Sequence, residues 1–281
     1  MSRIPLLPDR PRPLLFAHRG CSSLAPENTF AAFKKARELG APGIELDVHL
    51  CASGELVVVH DDTFKRTAPL DVNGGGRTVG EMCLAEIRAV DVGSFFGPEF
   101  SGERPPLLEE VLEEFCPDMY IDIELKTRKV KADPLPGLTA ALLMRLGKRV
   151  SGAVAVSSFN PFSIKAFRAR AGDLKPCVPT AAIWSDSAEV PWMLRRGLGG
   201  FLSGADYAKP DHRQLNRASF FRLARWEGRP PVPWTIDDPA IAGQMLRLGC
   251  AGIITNRPQD MLSLVRPDSN PPEAEGGANR G

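Results

Sequence analysis

Two short stretches alternate charged and apolar residues. In IELDVH, residues 44–49, Glu45, Asp47 and His49 alternate with Leu46 and Val48; in YIDIELK, residues 120–126, Asp122, Glu124 and Lys126 alternate with Ile121, Ile123 and Leu125. A strand sends successive side chains to opposite faces, so each polar set shares one face and each apolar set the other. Charges turned towards the inside of a fold are costly unless they are paired or hold an ion. Carboxylates are hard oxygen ligands suited to Mg²⁺ or Ca²⁺, and no cysteine or second clustered histidine offers the softer set that zinc prefers. The rival reading is an ion pair of Glu45 or Asp47 with Arg19 or Lys126. A divalent cation accounts for Glu45, Asp47 and Glu124 together.

The chain has four histidines, and one stands in FAHRG, where His18 and Arg19 follow an apolar run. A second, His60, ends the apolar run of LVVVHDD. Two histidines brought together can serve as general acid and general base. Each taken alone also fits a strand end that meets water. Arg19 and Lys126 near a cation would receive an anionic oxygen, and the planar guanidinium suits a phosphate. Phosphate chemistry is therefore the leading class. His49 reads as structural or solvated, and His212 as a residue at a helix start.

These residues need elements to position them. LLFA, GIELDV, YIDIEL, VAVSSF, CVPTAAI, GFLSG, VPWTI and GIITN are strand candidates, separated mostly by segments of helical period such as Ala32, Phe33, Ala36 and Leu39, or Leu107, Leu108, Val111, Leu112 and Phe115. Asn28 is placed to cap the first of these helices. Eight strands alternating with helices favour an α/β fold, a (β/α)8 TIM barrel, over an open doubly wound sheet. Barrel enzymes build their sites at the C-terminal ends of the strands, where His18, Arg19, Glu45, Asp47, Glu124 and Lys126 would converge. The turn-rich stretch 61–106 reads as a small insertion subdomain after the second strand, and RPDSNPPEAEGGANRG, 266–281, as a disordered tail.

The chain of 281 residues holds 35 basic and 34 acidic residues, a formal net charge of +1, which gives no reason to expect a nucleic-acid partner. No apolar run reaches the roughly 20 residues that span a bilayer, and prolines break the N-terminal MSRIPLLPDRPRPLLF where a signal peptide would be continuously apolar. A cytoplasmic protein without stable membrane insertion is expected. The six cysteines are scattered without a CxxC pair, as reduced thiols would be.

In order, AHRG, APENT, IELDVHL, GELVVVHDDTFKRT, PLLEEVL, DIELK, SSFNP, PWTID and GIITNRP resemble the glycerophosphodiester phosphodiesterases over residues 14–265. The resemblance implies a TIM barrel with an insertion after the second strand, which the related sphingomyelinase D type generally lacks. It implies catalytic His18 and His60, a divalent cation on Glu45, Asp47 and Glu124, and phosphate contacts from Arg19 and Lys126. It also places Trp234 at the barrel mouth, over the glycerol or the leaving group; a buried strand aromatic is the alternative. The small-molecule substrate would be a glycerophosphodiester, cleaved to sn-glycerol 3-phosphate and an alcohol such as choline or ethanolamine. Asp237 and Leu107 depart from the asparagine and threonine the family often carries, which bears on substrate preference. Alternatives are a lysophospholipase D or cyclising phosphodiesterase, for which the phenylalanines of GSFFGPEF could line an acyl groove or pack a core, and a non-catalytic phosphodiester-binding domain.

Overall fold

The computed structural model describes residues 3–69, 76–116, 118–127, 129–130, 132–174 and 177–265. The expected tail, 266–281, lies outside the described residues. The elements in chain order are β1 (Leu14–His18), α1 (Phe30–Glu38), β2 (Gly43–Leu50), β3 (Leu56–Val58), α2 (Leu84–Ala89), α3 (Leu108–Phe115), β4 (Tyr120–Leu125), α4 (Leu135–Leu146), β5 (Val154–Ser158), α5 (Pro161–Arg170), β6 (Thr180–Trp184), α6 (Leu198–Ser203), β7 (Tyr207–Pro210), α7 (Arg217–Phe221), α8 (Pro239–Leu248), β8 (Gly252–Thr255) and α9 (Pro258–Val265).

The strands run β7-β6-β5-β4-β2-β1-β8, each pair of neighbours parallel, while β3 folds back antiparallel on β2. The gap between β7 and β8 is filled by residues 231–236. Val232 and Trp234 donate their N–H groups to Ala208 O and Pro210 O, at 2.8 and 3.2 Å. On the other side Ala251 and Ile254 donate to Pro231 O and Pro233 O, at 2.9 and 3.1 Å. Pro231 and Pro233 have no N–H to give β8, so this seventh stave, expected as the strand VPWTI, forms bonds without a regular ladder. The eight staves close a (β/α)8 barrel.

The alternation in the sequence becomes the two faces of this wall. Leu46, Val48, Ile121, Ile123 and Leu125 pack outward against Phe33 of α1, Leu112 and Phe115 of α3 and Leu143 of α4. Helix α3 buries Leu108, Val111, Leu112 and Phe115 of the expected stripe, while Leu107 stands just before the helix and packs, partly buried, on a different apolar cluster. Inside, the barrel floor is apolar: Phe16, Tyr120, Tyr207, Val232 and Ile254 enclose Leu6 and Leu7 of the N-terminal segment. Residues between β3 and α3 gather around a separate apolar cluster that includes Phe64, Val79, Met82, Ile87 and Val90.

Three expectations are corrected. GFLSG, residues 200–204, is no strand: it lies in and just beyond α6, and the strand is the next segment, Tyr207–Pro210. The apolar run suggested burial, but Phe201 faces solvent at 76 % exposure. The cap of α1 is Thr29, whose side chain accepts from Ala32 N–H, while Asn28 turns to β2 instead. In GSFFGPEF the phenylalanines form no core; Phe95 and Phe96 are more than a third exposed, and Phe96 stacks edge-to-face on both Phe95 and Phe100. The six cysteines are all unpaired.

Candidate active site

Strand register brings the polar residues level. His18 of β1 pairs with Glu45 of β2, Glu45 with Asp122 of β4, and one row higher Asp47 pairs with Glu124. Parallel register partners point the same way, so these side chains enter the barrel together. Ligand oxygens of Glu45, Asp47 and Glu124 all lie within 4.8 Å of one another, and the three residues are only 1 %, 1 % and 7 % exposed. The buried Oδ1 of Asp47 accepts no hydrogen bond; the Lys126 ammonium is its charge partner at 3.1 Å. Three buried carboxylates sharing so small a space fit a hard divalent cation in their chemistry.

Cations flank the acids. Lys126 Nζ also lies 2.5 Å from Glu124 Oε1. Arg19 sits in the left-handed region at φ 56°, a backbone rarely taken by a non-glycine residue. That turn aims its N–H at Glu45 Oε2, at 3.2 Å, and sets its Nε 3.3 Å from Asp47 Oδ2. Both expected phosphate contacts are thus ion-paired with the acids, so the pairing and the shared acid cluster occur together. Burial, with Asp47 beside it, pushes the Glu45 carboxyl well above its usual range. Burial works against the Asp47 charge too, but Lys126 and Arg19 outweigh it and hold that carboxyl low.

The two histidines face the same cleft, of about 590 Å³. Asn256 donates from Nδ2 to Asp237 Oδ2 at 2.7 Å, which fixes its amide and turns Oδ1 to His18. The His18 Nδ1–H donates to that oxygen at 2.7 Å, so Nε2 is the free nitrogen, 3.9 Å from Glu45 Oε2. Burial, with Arg19 next to it, pushes the His18 imidazole down to about 3. His60 donates from Nδ1 to Asp61 Oδ1 at 2.6 Å, which likewise frees its Nε2. His49, at the edge of the same cleft, is buried and donates to the His60 carbonyl at 3.0 Å. His212 opens a short 3₁₀ turn capped by Asp211.

Across the barrel, β6 is the fifth stave, opposite β1. This side of the cleft is more apolar, with Phe159, Ile183, Val190, Pro191 and Trp234. Trp234 is half-buried, donates from Nε1 to Lys209 O at 2.9 Å and meets Phe159 edge-to-face at 5.6 Å.

Several residues of this site escaped the sequence reading. Asn28 donates to Asp47 Oδ2 at 2.9 Å. Arg66 grips Glu27 with both terminal nitrogens, at 2.6 and 2.7 Å, and Asp61 with Nε at 2.8 Å; Glu27 in turn accepts from Arg19 at 2.9 Å. One chain of contacts therefore runs from His60 to Arg19. Beneath the acids, Lys209 of β7 reaches Asp122 at 2.9 Å and Ser157 at 3.0 Å, both partners fully buried. The misplaced strand hid Lys209; APENT carried the signal for Glu27 and Asn28.

The barrel, with acids, cations and histidines gathered at its mouth, is of an enzyme class, and its relatives make that class the phosphoric diester hydrolases. The model of the glycerophosphoryl diester phosphodiesterase family matches residues 18–260. The chain is 35 % identical over 257 residues to a glycerophosphodiester phosphodiesterase of Caldanaerobacter subterraneus subsp. tengcongensis, covering 90 % of this chain and 98 % of the relative. Among solved structures, a glycerophosphodiester phosphodiesterase from Agrobacterium tumefaciens superposes with a TM-score of 0.71 at 29 % identity, over 88 % of this chain and 98 % of that one. An Oleispira antarctica phosphodiesterase, solved in complex with its product sn-glycerol-3-phosphate, gives 0.73 at 26 % identity, over 89 % and 96 %. The chain belongs to the glycerophosphoryl diester phosphodiesterase family.

Proposed function

We propose that the protein hydrolyses glycerophosphodiesters to sn-glycerol 3-phosphate and an alcohol, using a divalent cation, Mg²⁺ or Ca²⁺, held by Glu45, Asp47 and Glu124. The observation that carries this is the meeting of these three carboxylates, Arg19, Lys126 and two histidines with free Nε2 atoms in one cleft. The cation would add positive charge against the phosphoryl oxygens.

The chain's own residues do the rest. Arg19 and Lys126 neutralise charge that grows on the phosphoryl oxygens, from positions already fixed by Glu27, Asp47 and Glu124. One of His18 and His60 takes a proton from the nucleophile, water or the neighbouring glycerol hydroxyl, and the other protonates the leaving oxygen. Trp234 and Phe159 cover the side of the cleft where the glycerol or the alcohol lies. The separate packing of residues between β3 and α3 supports reading 14–265 as one barrel domain with 61–106 inserted. The substrate is a small molecule and the site of action the cytoplasm; among the described residues no helix is long and apolar enough to cross a membrane.

The deciding assay is release of glycerol 3-phosphate from glycerophosphocholine and glycerophosphoethanolamine, in EDTA and after Mg²⁺ or Ca²⁺ is restored. Release that returns with the metal supports the reading. No release with either ion refutes it. Phosphorus NMR of the product separates hydrolysis from cyclic phosphate formation, the outcome if the glycerol hydroxyl attacks.

A further inference from the structure

Helix α6 is inside out. A surface helix normally buries its apolar stripe and shows polar residues to water. Here Leu198, Phe201 and Leu202, at i, i+3 and i+4, are 44 %, 76 % and 46 % exposed, while Gly199, Gly200 and Ser203 face the barrel. The inner face is small because buried Arg229 lies against it: a Cβ on Gly200 would come within 2.8 Å of Arg229 Nη1. The turn before α6 adds Trp192 and Met193, 77 % and 51 % exposed. On α7 and the turn after it, Phe221 and Trp226 are 52 % and 80 % exposed. Arg196, Arg217 and Arg225 are exposed beside these residues in the chain and make no ion pair among the described residues.

We propose that this face, Trp192 to Leu202 with the outer residues of α7 and its following turn, docks the protein on an anionic lipid surface. Exposed tryptophan and phenylalanine with arginines of unspent charge are what the boundary between head groups and acyl chains receives, the rings entering and the guanidinium groups meeting lipid phosphates. A neutral or acidic partner surface would satisfy only half of this set. The docking face is also tied to the cleft. Arg195 donates from Nε to Val190 O at 2.8 Å and from Nη2 to Ala188 O at 3.2 Å, fastening the turn that bears Trp192 to the wall formed by Val190 and Pro191. A protein seated on this face holds its barrel mouth beside the lipid surface.

The test is co-sedimentation of the full chain with vesicles of phosphatidylcholine alone or mixed with phosphatidylserine. Binding to the mixed vesicles, weakened by salt and lost in the variant W192S/F201S/W226S, supports the proposal. The charge variant R196E/R225E should bind the mixed vesicles less well by about fivefold or more per arginine, since each basic residue at such a surface contributes about that factor. Turnover of soluble glycerophosphocholine should stay unchanged in both variants. Failure of the wild type to sediment with either vesicle overturns the proposal, as does undiminished binding by both variants. Light scattering that finds a dimer which W192S/F201S/W226S converts to monomer overturns it too, and assigns the face to a second copy of the chain. Binding is read without turnover, so a failed hydrolase assay leaves this result intact.

Discussion

His18 is gripped through one nitrogen and free at the other. Asp237 orients Asn256, Asn256 accepts from His18 Nδ1, and the remaining Nε2 looks into the cleft. His18→Ala should lower turnover of glycerophosphocholine by about 10² to 10⁴-fold, the range of positioned acid-base catalysis, with an unchanged circular dichroism spectrum. Turnover near wild type would remove His18 from the chemistry. Glu45→Gln keeps the shape of the carboxylate while removing its charge. Calorimetry should show Mg²⁺ or Ca²⁺ bound more weakly by at least about tenfold, because a hard cation loses one of three anionic ligands; equal affinity would exclude Glu45 as a ligand. The legible residues at this scale were those with local signatures: polar alternation on a strand, or a histidine closing an apolar run. Asn256 and Arg66 were not, because Asn256 acts on His18, 238 positions away, and Arg66 on Glu27, 39 positions away.

Among the elements, β2 and β4 are held close by one glycine. The Tyr120 ring lies over Gly43, where a Cβ would come within 1.9 Å of it, and the hydroxyl reaches β1 to donate to Leu15 O at 3.0 Å and accept from Leu15 N–H at 2.7 Å. Gly43→Ala should destabilise the fold by about 1–3 kcal/mol through overpacking, seen as a lower urea midpoint. Between α2 and α3, Asp91 accepts from the N–H groups of Gly93, Ser94 and Gly102, each at 2.9 Å. Partial burial works against its charge, but those donors, Ser94 first, outweigh it and hold the carboxyl below its usual range. The folded state therefore binds this proton less readily than the unfolded chain. The stabilisation is complete above about pH 4 and is lost as pH falls through the depressed value. Asp91→Asn should be less stable by about 1–2 kcal/mol at neutral pH, and the gap to wild type should close on acidification in denaturation curves. Helix α6 shows why some elements were misread: apolarity was taken as burial, and its apolar residues face out.

The whole molecule is pinned by a charge pair inside the barrel. Burial works against the Lys209 ammonium, but Asp122, with Glu45 above it, keeps it charged. Lys209→Met leaves Asp122 buried without its partner and should cost about 3–5 kcal/mol in urea unfolding. The double variant K209M/D122L removes both charges and should recover most of that loss; no recovery would mean that Lys209 acts through packing alone.

By itself the sequence determined that strands alternate with helices, which faces of β2 and β4 turn outward and inward, and that Glu45, Asp47, Glu124 and Lys126 belong to the inner one, because periods of two and of 3.6 residues are properties of neighbours along the chain. The closed barrel in place of an open sheet, and the pairing of His18 with His60, were implied by the ordered motifs that resemble the family. Only the tertiary structure decided that 231–236 closes the ring without a regular strand, that Lys209 answers Asp122 beneath the site, and that α6 turns its apolar face outward. Each depends on which staves lie opposite or beside one another once the sheet has curled, and local periodicity carries no information about that.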